Sequence, residues 1–246
     1  MRVEAIIVHL EQAAARRPQV DEIARSIPLP TRVLPAVDGR RLDASVRPRL
    51  VRPRLHAPAY PFRLLDTEIG CFLSHRLAWQ AILDGRLDAG LIVEDDVAVS
   101  SPLFRQVLDH AIAALEPGDF IRFPLHERGE GHVGTPVEAA LIEPRLPGLG
   151  MQMQLVGRDA ARLLLAASEI FDRPVDSLVQ MQWLHGARVL SARPVVIREI
   201  DFALGGTTVQ RKRMPLVRKA AHELGRPILR LAVRVANERW RRGRAA

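Results

Sequence analysis

The sequence predicts an α/β fold with a mostly parallel central sheet and helices on both faces. Three observations predict it. Short apolar, β-branched runs alternate with stretches of helical period from Val3 to Ile197, the pattern of a sheet wound with helices. The run Gly90-Leu-Ile-Val is apolar at every position before it ends in Glu94-Asp95-Asp96, as expected of a strand buried on both faces. The 246-residue chain is 48% hydrophobic, enough for a sizeable core and too much for general disorder.

In chain order, Val3 to Val8 reads as a strand and Gln12 to Ile27 as a helical stretch carrying Arg16 and Arg17. Thr31 to Val37 reads as a second strand that closes at the turn signal Asp38-Gly39. Arg40 to Pro61 is rich in Arg and Pro and has no apolar period. It reads as a loop or lid: either a border of a binding site, its arginines meeting an anionic substrate, or a solvated surface loop. From Asp66 to Leu83, residues Ile69, Phe72, Leu73, Ala78, Trp79, Ile82 and Leu83 form one apolar helical face. Asp66 or Thr67 is placed to cap that helix and Gly85 to end it. Ser74 and His75 interrupt the face and need hydrogen-bond partners. Gly70 costs the helix about 1 kcal/mol relative to Ala, which points to close approach by another backbone or a ligand.

Beyond the acidic run, Ser101-Pro102 is an N-cap followed by Pro at the first helical position, opening a helix from Leu103 to Leu115. Strands are expected at Asp119 to Phe123, Ala139 to Ile142 and Met151 to Val156, with a polar loop from His126 to Gly134. A helix from Arg158 to Ser168 turns Ala160, Leu163, Leu164 and Ala167 inward. A further helix over Asp176 to Leu184 and strands near Arg188 to Leu190 and Val195 to Ile197 complete the alternation.

Glu94-Asp95-Asp96 is the strongest chemical signal. Side chains alternate along an extended chain, so Glu94 and Asp96 should face one side and Asp95 the other. Two carboxylates on one side suit Mg2+ or Mn2+; the competing reading is an acidic, solvated turn. In wound sheets, ligands gather at the carboxyl ends of parallel strands, where this run falls. There is no GxGxxG, P-loop or internal repeat.

Cys71 is the only cysteine, so neither an intrachain disulfide nor a thiolate zinc cluster can form. No apolar stretch approaches the ~20 residues that span a bilayer. Met1 to Leu10 contains Glu4 and is followed by Glu11 and Gln12 rather than a cleavage site, so a cytoplasmic protein is expected. The formal charge of +8 is concentrated at one end. From Arg211 onward twelve Lys or Arg face only Glu223 and Glu238, whereas the first 210 residues carry 24 basic and 26 acidic groups. In this tail Val217, Ala221, Leu224, Ile228, Leu231 and Val235 recur at steps of four and three between arginines, a basic amphipathic pattern. Gly225-Arg226-Pro227 should break it into two helices. Three readings stay open: packing on the body, contact with an anionic membrane surface supported by Trp240, or nucleic acid, the last disfavoured by the scarcity of stacking aromatics.

Leu34-Pro-Ala-Val-Asp38-Gly39, then Glu68-Ile-Gly-Cys-Phe-Leu-Ser74-His75 with Trp79, then Leu91-Ile-Val-Glu94-Asp95-Asp96 follow one another as in glycosyltransferase family 25, the lipooligosaccharide galactosyltransferase-like proteins. Leu155 to Leu164 and Pro174-Val175-Asp176 with Trp183 and Gly186 resemble later segments of that family, so the resemblance runs from about Val3 to Thr208. It implies a GT-A-like nucleotide-diphospho-sugar transferase fold over 1–210, with 211–246 as a separate basic tail. It also implies a UDP-hexose donor, galactose in the first place, transferred with inversion to a saccharide or lipid-linked oligosaccharide acceptor of bacterial surface glycan. On this resemblance Asp96 and Glu94 are the metal ligands, and Asp176, or its rival Glu68, is the catalytic base. Arg16, Arg17, Ser74, His75 and Asp95 are donor-binding. His9 stands where many members carry Asn, and the segment around Gln154 and Gly157 lacks the Tyr and Ser common there. The alternatives are a non-catalytic glycan-assembly protein retaining the fold and a metal-dependent nucleotide-sugar hydrolase.

Overall fold

Neighbouring residues of the central strands point into two different cores. In a computed structural model, which describes residues 1–99, 101–126, 138–200 and 216–245 (side chains only from 225 to 243 in the last stretch), Ile7, Leu91 and Val93 pack on one side of the sheet. Ile6, Val8 and Ile92 pack on the other. That is the consequence of a two-residue side-chain period in strands apolar at every position.

The strands are β1 (Val3–His9), β2 (Thr31–Pro35), β3 (Ala89–Glu94), β4 (Val97–Val99), β5 (Asp119–Arg122), β6 (Ala140–Ile142), β7 (Met153–Gly157), β8 (Arg188–Arg193) and β9 (Ile197–Glu199). The helices are α1 (Arg17–Ser26), α2 (Val46–Leu50), α3 (Asp66–Asp84), α4 (Phe104–Ala113), α5 (Arg158–Ala167), α6 (Val175–Val179), α7 (Gln182–His185) and α8 (Leu216–Ala245). Seven strands make one sheet in the order β2-β1-β3-β7-β5-β8-β6, and β4 pairs with β9 separately. The pairs β1–β2, β1–β3 and β5–β8 are parallel. β7 runs against β3 and β5, and β6 against β8. Five strands therefore share one direction, as expected, and two oppose it. Parallel return needs a crossover helix, and between β5 and β7 the described residues contain none.

On one face α1 (Val20, Ile23) and α4 (Phe104, Val107, Leu108) cover the sheet. On the other α3 (Phe72, Trp79, Ile82) and α5 (Ala160, Leu164) do so, with Phe72 stacked on Phe171 at 3.9 Å between ring centroids. A β-carbon on Gly70 would lie 2.6 Å from Gly39 N and Val37 O. The glycine in α3 thus admits the backbone of the Asp38-Gly39 turn, not a ligand.

Several local expectations are corrected. α3 is capped from Leu65, whose N–H donates to Glu68 Oε2 at 2.7 Å; Asp66 instead pairs with Arg47. The helix expected over Asp176 to Leu184 is split into α6 and α7, because the backbone leaves the helical region at Met181 (φ −88°, ψ 67°). β4 was not anticipated, and the Arg- and Pro-rich segment holds a 3-10 turn (Gly39–Arg41) and α2. α8 does not break at Pro227. The lost backbone bond sits at an exposed position, while Val233 and Asn237 hold the helix to the body. Of the tail's apolar stripe, which the sequence left open to packing or to membrane contact, Ile228, Leu231 and Val235 are exposed, and Trp240 is half-buried. The side chains of Val217, Ala221 and Leu224, the domain boundary at Gln210 and most of the His126 to Gly134 loop lie outside the described residues.

Candidate active site

β1 and β3 run in parallel with Val8 paired to Glu94, so the residues that follow, His9 and Asp95, emerge side by side at the carboxyl edge of the sheet. His9 Nδ1 lies 2.7 Å from Asp95 Oδ2, and Arg16 Nη1 donates to Asp95 Oδ1 at 2.6 Å. The same guanidinium is 3.6 Å from Asp96 Oδ2. Arg16 is buried because the 3-10 turn Ala14–Arg16 delivers it under the strand ends before α1 begins. Asp95 is therefore a structural anchor within the floor, and its side chain is 9% exposed against 21% for Glu94 and 18% for Asp96. Among the described residues, three carboxylates and one guanidinium meet there.

Glu94 is held from the other side. His75 Nε2 approaches Glu94 Oε1 at 3.1 Å, and Gln154 Nε2 stands 3.2 Å from His75 Nδ1. A donor on Nδ1 fixes the tautomer, so Nε2 carries the proton and donates it to Glu94. Cys71 Sγ also approaches Oε1, at 3.7 Å. Cys71, His75 and Glu94 offer ligand atoms within 4.8 Å of one another, yet burial, reinforced by Glu94, pushes the Cys71 thiol well up. The cluster thus presents an S–H and an N–H, which suits positioning Glu94 better than ligating a soft metal. Both contacts fall on Oε1, and Glu94 and Asp96 are hard oxygen donors of the kind Mg2+ or Mn2+ takes.

These residues floor a cleft of about 680 Å³, within the usual size of ligand pockets. Glu68, Asp176, Tyr60 and Phe62 form another part of its lining. Asp176 accepts from Gly150 N at 3.1 Å and from Ser177 N at 2.6 Å, tying the 147–150 loop to α6. Burial raises the Glu68 carboxyl above its ordinary range, with Asp176 adding to the effect against the Leu65 N–H bond and Arg226. Arg122, lowered to about 10 by burial, donates to Leu149 O at 2.6 Å and Gly150 O at 3.0 Å and so supports the same loop. The buried pair Asp172–Arg173 (2.7 Å) holds the backbone of 56–58, with Arg173 Nη2 donating to Pro58 O at 2.9 Å, and thereby sets Tyr60 at the cleft.

Of the residues singled out from the sequence, Arg16, Glu68, Ser74, His75, Glu94, Asp95, Asp96 and Asp176 line this cleft. Arg17 does not: it is 58% exposed and pairs with Asp21 on the outer side of α1. The Ser74 hydroxyl is occupied by backbone, accepting from Val37 N and donating to Gly70 O, each at 2.8 Å. It shapes the Asp38 turn instead of reaching a donor. Arg226, Leu229 and Arg230 of α8 also line the cleft, so the basic tail contributes to the site. Sequence reading missed Arg122, Gln154, the Asp172–Arg173 pair and the tail arginines as site residues. The adjacent Asp-Arg dipeptide was a visible signal; for the others only tertiary placement reveals the role.

Fold and cleft together define an α/β protein with a carboxylate-floored ligand site at the carboxyl ends of parallel strands. A family model described as glycosyltransferase family 25 (LPS biosynthesis protein) matches residues 3–128, and the chain belongs to that family. It is 26% identical over 226 residues to a bovine (Bos taurus) relative named probable inactive glycosyltransferase 25 family member 3, covering 81% of this chain and 37% of the relative. It is 31% identical over 97 residues to procollagen galactosyltransferase 2 of Homo sapiens, covering 38% of this chain and 16% of that protein. The chain therefore spans well under half the length of these relatives. Among solved structures, A197 from STIV matches at a TM-score of 0.39 and 14% identity, over 78% of this chain and 81% of that one.

Proposed function

We propose that the cleft transfers a hexose, galactose in the first place, from a UDP-sugar to a saccharide acceptor with inversion, in the synthesis of bacterial lipopolysaccharide, lipooligosaccharide or another surface glycan. The observation that carries this reading is the acidic floor: Glu94, Asp95 and Asp96 beside a buried Arg16, opening into a cleft that holds two further carboxylates, Glu68 and Asp176. A divalent cation, Mn2+ or Mg2+, fits Glu94 and Asp96 and supplies charge neutralisation for a nucleoside diphosphate leaving group. Arg16 at the floor and Arg226 and Arg230 from α8 are the cations that meet the diphosphate oxygens. Glu68 or Asp176 takes the proton of the attacking hydroxyl, a contribution of about a hundred- to ten-thousand-fold. The raised Glu68 carboxyl makes it a stronger base than an ordinary carboxylate. The reading includes a cytoplasmic location and a lipid-linked acceptor.

The test is sugar transfer from a panel of UDP-hexoses to truncated lipid-linked oligosaccharide, with and without Mn2+. Turnover that needs Mn2+ and falls at least a hundredfold in Asp96→Asn is expected. No turnover with any donor, together with no UDP binding by calorimetry, would overturn the reading. A second reading is favoured by the relatives named inactive: a non-catalytic glycan-assembly protein that keeps the fold. It predicts an intact cellular phenotype for Asp96→Ala. Nucleotide-sugar hydrolysis predicts free hexose released at the same rate without acceptor.

A further inference from the structure

α8 presents two dissimilar faces. Toward the body it buries Val233 and Asn237. Asn237 Oδ1 accepts from Gln182 N at 3.1 Å, its Nδ2 donates to Gln180 O at 2.8 Å, and Arg241 pairs with Glu143 at 3.2 Å. Away from the body Ile228 and Leu231 are 70% and 63% exposed, and Val235 is exposed as well. Steps of three and four place these side chains in one row along the helix, and the exposed Arg239 and Arg242 prolong it. Exposed apolar residues scattered singly need no explanation, whereas an aligned apolar row rimmed by charge marks a contact surface.

We propose that this outward row lies on an anionic lipid bilayer, with Ile228, Leu231 and Val235 at the acyl boundary and Arg239 and Arg242 on the headgroup phosphates. Charge selects this occupant. Between Arg226 and Gly243 the helix carries Arg226, Arg230, Arg234, Arg239, Arg241 and Arg242 against Glu238 alone. A second copy meeting the row through its own would bring like charges together. No helix among the described residues is long and apolar enough to cross a membrane, so the contact is peripheral and in the plane of the interface. Because the same helix contributes Arg226, Leu229 and Arg230 to the cleft, docking sets the cleft within about one helix diameter, ~10 Å, of the lipid surface. This inference does not depend on sugar transfer, since it concerns where the cleft is held.

Flotation of the full chain with phosphatidylcholine vesicles, with and without phosphatidylglycerol, tests it. Recovery with the anionic vesicles only, reversed by salt, is expected. At about 1 kcal/mol per arginine near such a surface, Arg239→Gln with Arg242→Gln should weaken partitioning roughly thirtyfold at low salt. Ile228→Ser with Leu231→Ser should weaken it at least as much under the same low-salt conditions, through apolar burial lost at the acyl boundary. All four positions are exposed, so thermal melting should confirm retained folding. Three results would overturn the proposal: no recovery with anionic vesicles, recovery unchanged by Ile228→Ser with Leu231→Ser, or a solution dimer by sedimentation that these same changes dissociate.

Discussion

Replacing Arg16 by Met tests whether the buried ion pair organises the floor of the cleft. Arg16 and Asp95 side chains are 6% and 9% exposed and meet at 2.6 Å, so Arg16→Met leaves a largely buried carboxylate without its cation. Breaking such a pair from one side costs about 3–5 kcal/mol. His9, 2.7 Å from the other Asp95 oxygen, retains part of the stabilisation, which brings the expected loss to about 2–4 kcal/mol. Asp95→Asn removes the charge while keeping an acceptor, and the double variant should be less destabilised than the two single changes summed, with a coupling of about 1–3 kcal/mol. Urea unfolding of the four proteins, with equal m-values, measures the cycle. Arg16→Met also removes one positive charge from the floor. Mn2+ should therefore bind more tightly while UDP binds more weakly, and a structural role alone would not move these two readouts in opposite directions. A loss below about 0.5 kcal/mol, or additive single changes, would refute the reasoning.

Gly70→Ala gains about 1 kcal/mol of helix propensity but drives a β-carbon to 2.6 Å from Gly39 N and Val37 O; a net loss of about 1–3 kcal/mol is expected by chemical denaturation. His185, buried with Nε2 on Val179 O and Nδ1 accepting from Ala187 N, is lowered to about 4 from 6.5 by burial. The folded state therefore resists its protonation. The associated stability is complete above pH ~6.5 and lost as pH falls through about 4, about 3 kcal/mol in all; His185→Gln should flatten that part of the stability–pH curve. Glu68 has the opposite sign. Its folded-state value is raised, so its contribution is present below its ordinary carboxylate range and lost as pH rises through the folded value; Glu68→Gln should remove that decline. If Glu68 is the base, Asp176→Asn, by deleting a charge that raises it, should move the acid limb of kcat/KM to lower pH. An unmoved limb would assign the proton transfer elsewhere.

The sheet was legible because its strands are apolar at nearly every position, as in Ala89 to Val93, and because turn and cap residues punctuate them. β4 was not, since three residues that pair only with β9 carry too little periodicity to register. The tail shows a different limit. Among the described residues, hydrophobic periodicity placed Ile228, Leu231 and Val235 in one row, but α8 is anchored to the body through Asn237 and Val233, and polar anchoring of a helix leaves no periodic trace. At the site, eight of the nine residues singled out from the sequence line one cleft. The exception, Arg17, differs from Arg16 by a single position, and only the 3-10 turn that precedes α1 decides which of the two points under the strands. Ser74 and Asp95 were brought to the cleft but are committed to internal partners, which the type of a residue alone does not disclose.

The three acids are therefore not interchangeable, and the reason lies in the register of two strands. Pairing of Val8 with Glu94 makes Asp95 the neighbour of His9 and leaves it facing Arg16, so its charge is spent inside the protein. Glu94, one step earlier, is still within the strand and is gripped at a single oxygen by His75. Asp96, one step later, has left β3 and stands in the turn before β4. One carboxylate is neutralised, one is oriented and one is at the end of the floor, an arrangement that allows a negative surface to persist against its own repulsion. A cation at that floor would be drawn by Glu94 and Asp96 while Arg16 limits how much charge it must offset. The arginines of α8 sit at another part of the same cleft, so an anionic ligand bridging both would join the tail to the sheet. Truncating the chain before Arg226 should weaken UDP binding as well as membrane contact if both proposals hold, because one helix both lines the cleft and carries the outward row.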